Sequence, residues 1–144
     1  MARKILSLFA GLLIAVLLVG LIEYLGHIAV PPPDDIDFSD PAQLEAHISN
    51  LPFIAFAIVL LAWCAGAFFG SLTAGLLSQQ HSILYPAVIS GFVLLAAIAN
   101  MIMIPHPLWF AVTGVILVPL AGFMAWYVHG RFCRETYKQK KDTL

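Results

Sequence analysis

From residue 46 to residue 130 the chain contains no Asp, Glu, Lys or Arg. That absence excludes a water-soluble fold, because a domain of 144 residues cannot clothe most of its surface in uncharged side chains. Cysteine is nearly absent as well. Cys64 falls within an apolar run and Cys133 in a basic tail, about half a bilayer apart on the topology argued below, so no disulfide framework is implied. Cys64 reads as a small packing residue. There is no Gly-rich phosphate loop, Cys-x-x-Cys, nucleophile elbow or His-Glu-x-x-His, and few serines or threonines are placed to act as nucleophiles. The chain is therefore read as non-enzymatic, with no cofactor required and no nucleic-acid partner.

What is present is apolar: 61% of residues, with 10% charged and a mean hydropathy of +0.93. Breakers divide this material into four runs. The first covers about 5–30 and stops at Pro31-Pro32-Pro33; the second covers about 52–78 and stops at Gln79-Gln80-His81-Ser82. The third covers about 84–104, ending at Pro105-His106-Pro107, and the fourth about 108–129, ending at Gly130 before a basic tail, 130–144. Each is long enough to cross the hydrocarbon as a helix, and unpaired backbone in lipid leaves no other form. The fold class is an all-α integral membrane protein, one four-transmembrane-helix bundle. Arg3-Lys4 and the uncharged stretch from Ile5 to Ile22 resemble a secretory signal, but the run is too long and lacks a nearby small-x-small site, so it is read as a retained span.

All seven Lys and Arg flank the two chain ends. An even number of spans puts the ends on one face, and the positive-inside rule makes that face cytoplasmic, as in a bacterial cytoplasmic membrane. Tyr24, Phe53 and Trp109 then mark the outer boundary, and Tyr85, Trp126 and Tyr127 the inner one. The outer connection, 31–51, holds five acids: Asp34, Asp35, Asp37, Asp40 and Glu45. Asp35-x-Asp37-x-Ser39 opens like a calcium loop but fails at its sixth, seventh and twelfth positions, Asp40, Pro41 and Ala46. Asp40-Pro41-Ala42-Gln43 instead predicts a helix start of the capping-box kind, with Leu44, Ile48 and Leu51 on one face of a short amphipathic helix.

Gly66, Gly70, Ala74 and Ser78 recur every fourth residue on the second span, with Ala67, Ser71 and Gly75 beside them. Such a ribbon lets helix backbones approach closely in lipid. Its partner is either the first span, at Gly11 and Ala15, or another subunit. Pro119 is expected to bend the fourth span and free the carbonyl of Val115.

Glu23 is the single acid within the spans, and a membrane carboxylate is by default a functional hypothesis. It lies about 27 Å along the helix from Ile5, near the outer boundary. His27 follows one turn later; the topology brings His106 to the same level, with Asn100 below and Trp109 and Tyr24 as possible walls. Glu23, His27 and His106 form a donor set that suits zinc or a similar ion. Three accounts stay open: a structural pair between Glu23 and His27, metal or ligand binding, and proton coupling. His81 and His129 read as boundary polar residues rather than haem ligands, and Trp63, near mid-bilayer, as a packing residue whose indole needs a partner. The leading expectation for function is an accessory subunit within a larger membrane assembly, or one that self-associates. The alternatives are a small proton-coupled transporter using Glu23 and a metal- or ligand-binding protein using Glu23, His27 and His106.

Overall fold

The computed structural model describes residues 2–33, 36–37 and 39–142, the last ten of these as backbone only. Its helices are α1 (Ala2–Ala29), α2 (Pro41–Asn50), α3 (Phe53–Ser78), α4 (Leu84–Met103) and α5 (Leu108–Asp142). Four of them, all but α2, contain stretches long and apolar enough to cross a membrane. α2 is the short helix between the first two spans. Asp34, Asp35 and Phe38 of the acidic connection lie outside the described residues, as do the side chains of the tail from residue 133.

α3 is the hub, touching α1, α4 and α5, while α1 rests chiefly on α3. The small-residue ribbon explains this. A Cβ placed on Gly70 would stand 2.7 Å from the Gly11 carbonyl oxygen and 2.8 Å from the Ala15 Cβ; one on Gly11 would stand 2.6 Å from the Gly70 carbonyl oxygen. Any side chain at either site would part the two backbones, so glycine here supplies close approach. Ala74 and Ser78 are buried farther along the same helix. The ribbon is therefore occupied within the chain. On its other side α3 packs Trp63 against Phe110 of α5, ring centres 5.3 Å apart, in a core shared with Ile89 and Val118.

At the end of the bundle carrying the N-terminus, the Arg3 guanidinium donates to the Leu77 carbonyl at 3.0 Å. Leu77 is in the last turn of α3, where carbonyls lack helical partners and the helix dipole favours a cation. Gln79 then ends α3 in the left-handed region, φ 56°.

The fourth span lies close to its expected bounds, at Leu108–Phe132, but its helix continues beyond it. Helix α5 runs through Gly130 to Asp142 instead of ending at 129. Gly130 is not a stop: a Cβ there would stand 2.6 Å from His81 Cε1, so the missing side chain makes room for the imidazole within a continuing helix. Pro119 lies inside α5.

The start of α2 also differs in detail. Asp40 caps the amide of Ala42, as the cap requires. Its own amide is taken by the Asp37 carbonyl, so Gln43 reaches past it and accepts from the Asp37 amide, while donating to Asp40 Oδ2 at 3.0 Å. Asp37 in turn accepts from both the hydroxyl and the amide of Ser39. These bonds favour the ionised acid and hold the Asp37 carboxyl below the usual carboxylate range. Because the folded value is the lower one, the turn's extra stability is present above the ordinary Asp pKa and lost as pH falls through the depressed value. A carbon-detected titration should show Asp37 titrating below a free aspartate, and Ser39→Ala should return it toward the ordinary value.

Candidate functional site

Opposite the N-terminal end, a cavity of about 630 Å³ opens between α1, α2, α3 and α4. Its polar wall is Glu23 and His27 from α1, His47 from α2, Asn100 from α4 and His106 from the turn before α5; aliphatic residues such as Ile58 and Val59 make up much of the rest. The topology thus gathers four of the five expected candidates. Trp109 is the exception, because it faces a neighbouring cavity. Tyr24 does not wall the site either; it is 63% exposed on the outside of α1.

Glu23 is half-buried and turned toward α3, where Trp63 Nε1 donates to its Oε1 at 3.2 Å. Trp63 is only 4% exposed, so this bond satisfies the buried indole that the apolar surroundings would otherwise strand. The hydrogen bond goes to neither His27 nor Asn100, although His27 still acts on the Glu23 carboxyl electrostatically. His27, one turn farther along α1, is exposed at the cavity's edge.

His106 is held from three directions. Its Nδ1 lies 2.6 Å from the Ile104 carbonyl oxygen, its ring stacks on Phe110 with centres 4.8 Å apart, and Phe56 meets it edge-on. A carbonyl can only accept, so Nδ1 carries the proton of this bond and Nε2 remains as the acceptor of the neutral ring. The hydrogen bond of His106 is thus to Ile104 and not to Glu23. Among the described residues no three His, Cys, Asp or Glu side chains come together to hold a metal ion. Glu23, His27 and His106, expected as a metal site, line one cavity without forming such a group among the described residues.

A second polar cluster sits at the other end of the bundle. His81 lies face to face with Trp126, ring centres 5.0 Å apart and planes 8° from parallel, and its centre is 5.7 Å from that of His129. The sequence places these histidines at the ends of different helices without pairing them. Their contact depends on Gly75 and Gly130, where a Cβ would stand 3.1 Å from His129 Nδ1 and 2.6 Å from His81 Cε1. Rings tilted and this close leave no room for a macrocycle between them.

No family model, curated protein or solved structure matches this chain.

Proposed function

We propose that this small four-span membrane protein is non-enzymatic and binds an amphipathic ligand in the Glu23 cavity, with the carboxyl receiving a proton-donating head such as a primary ammonium. The observation that carries the reading is the position of the spans' single acid. It lies on the wall of a largely aliphatic cavity of about 630 Å³ with one oxygen taken by Trp63 and Asn100 and His106 nearby as further polar partners. A pocket of apolar lining with a few convergent polar groups is the usual form of a small-molecule site. The sequence offers no competing cation, since every Lys and Arg lies toward a chain end.

Transport by proton coupling has less support. The cavity occupies one end of the bundle, and Trp63, Phe110, Ile89 and Val118 pack the interior. An accessory role in a larger assembly is the second reading, favoured by α1, whose Leu6, Phe9, Leu13 and Leu17 face away from the bundle. The ribbon of Gly66, Gly70 and Ala74 no longer argues for it, being buried against the chain's own helices. We place both termini in the cytoplasm of a bacterial cytoplasmic membrane, so that the cavity faces outward. The flanking basic residues support this, as does the Arg3–Leu77 contact, which keeps the N-terminus beside the α3–α4 turn.

Dodecylamine tests the binding proposal. In maltoside micelles, with Trp109 and Trp126 replaced by Phe, Trp63 emission should change saturably on titration. Glu23→Gln should weaken the apparent affinity by about tenfold to a hundredfold, the equivalent of a hydrogen bond to a charged group. Linear partitioning alone, or equal affinity in the variant, would remove the proposal.

A further inference from the structure

A second cavity, of about 490 Å³, lies between α2 and the Pro105-His106-Pro107 turn. Aromatic rings form much of its wall. Phe53 and Trp109 stand 5.2 Å apart with planes 25° from parallel, Phe56 meets Trp109 edge-on at 5.8 Å, and His106 backs onto buried Phe110. The one charged residue on this wall is Glu45, joined by Ser49. Ser49 donates its hydroxyl to the Glu45 backbone carbonyl, and no hydrogen bond among the described residues involves the Glu45 carboxylate.

The one full charge on this wall and the faces of its rings are negative, and they stand against only the partial positive charge of the α3 and α5 N-termini. Aromatic faces carry the negative lobe of a quadrupole, and a carboxylate adds a full negative charge. No Lys or Arg lines the cavity to admit an anion. A divalent metal would need several oxygen or nitrogen ligands, and one carboxylate does not provide them. A weakly hydrated organic cation needs none. Alkyl groups around an ammonium nitrogen reduce the cost of leaving water, and their contact with ring faces and prolines is favourable.

The site is also pre-formed. Phe56 and Phe110 are buried and pack against Trp109, on which Phe53 stacks, while Pro105 and Pro107 restrict the turn. Little ordering is then required on binding. Phe53 opens α3 and Trp109 is the second residue of α5, so the cavity sits where spans meet the interface, the level of lipid headgroups.

We propose that this cavity binds an organic ammonium group of the quaternary type, with Glu45 as counter-ion and Phe53 and Trp109 as ring partners. The group is carried either by an outer-leaflet lipid headgroup or by a dissolved solute. This cavity shares Ile48, Leu51, Phe56 and His106 with the Glu23 cavity, but the ligand proposed there must donate a proton that a quaternary ammonium lacks.

Indole NMR of the full chain, which resolves the three tryptophans, provides the test. In maltoside micelles the Trp109 indole signal should shift saturably with tetramethylammonium chloride and not with sodium chloride at equal ionic strength. Glu45→Gln and Phe53→Leu, both at exposed positions, should each weaken that response by about tenfold. In nanodiscs, a Trp109 shift on replacing phosphatidylglycerol by phosphatidylcholine identifies a lipid headgroup as the source. A response confined to dissolved tetramethylammonium identifies a solute. A Trp109 signal indifferent to both, or an affinity that Glu45→Gln leaves at the wild-type value, overturns the proposal.

Discussion

Gly70→Ile is expected to destabilise the bundle by about 3 kcal/mol, the upper part of the range for overpacking a rigid contact, while Gly91→Ile should cost nothing, since Ile has the higher helix propensity. The two glycines lie in neighbouring spans, and their surroundings decide the difference. A Cβ on Gly91 meets nothing within 4 Å, whereas on Gly70 it meets the Gly11 carbonyl oxygen at 2.7 Å and the Ala15 Cβ at 2.8 Å. A flexible side chain can give way, but a helix backbone cannot. Relief therefore requires α1 to move off α3 as a body, and α1 has little else to hold it, touching α4 only lightly. Titration with SDS, following unfolding by circular dichroism, should show an early transition for Gly70→Ile and a near-native one for Gly91→Ile. Equal midpoints would mean that the α1–α3 contact is not what holds α1.

The four spans were legible because hydrocarbon imposes its own requirements: length, freedom from charge, and internally satisfied backbone all leave marks in composition. The short α2 was legible from Asp40-Pro41, since a cap and a proline at the first helical position act locally. Features that depend on a neighbour were read less well. Gly130 looked like a terminator because glycine ends many helices, yet it is glycine to make room for His81, a residue of the α3–α4 connection. Gln43 was expected to cap Asp40, but the Asp37 carbonyl had already taken that amide. Asn100 and Trp109 were both expected around Glu23, but depth alone does not determine azimuth, and the two line different cavities.

Replacing Trp63 by Phe and Glu23 by Gln, singly and together, should reveal a coupling of about 1–2 kcal/mol, large for a membrane hydrogen bond, where measured couplings average about 0.6. Depth already hints at the pairing. Glu23 lies six residues before the end of α1 and Trp63 ten residues after the start of α3, so their Cα atoms differ by about 6 Å in height at 1.5 Å per residue. Side chains lean toward the N-terminus of their own helix. In antiparallel α1 and α3 those directions are opposite, so the glutamate leans down the bundle, the indole leans up, and the gap closes to 3.2 Å. Trp63→Phe keeps most of the buried ring but removes the donor, leaving a half-buried carboxyl without its bond. Glu23→Gln keeps an acceptor oxygen, so it should cost less than Trp63→Phe. Trp63→Phe in the Glu23→Gln background should cost less than in the wild type. Strict additivity would show that the carboxylate holds the indole no better than a neutral amide oxygen does, and the restraint on Glu23, and with it the pre-set geometry of the cavity, would need another source.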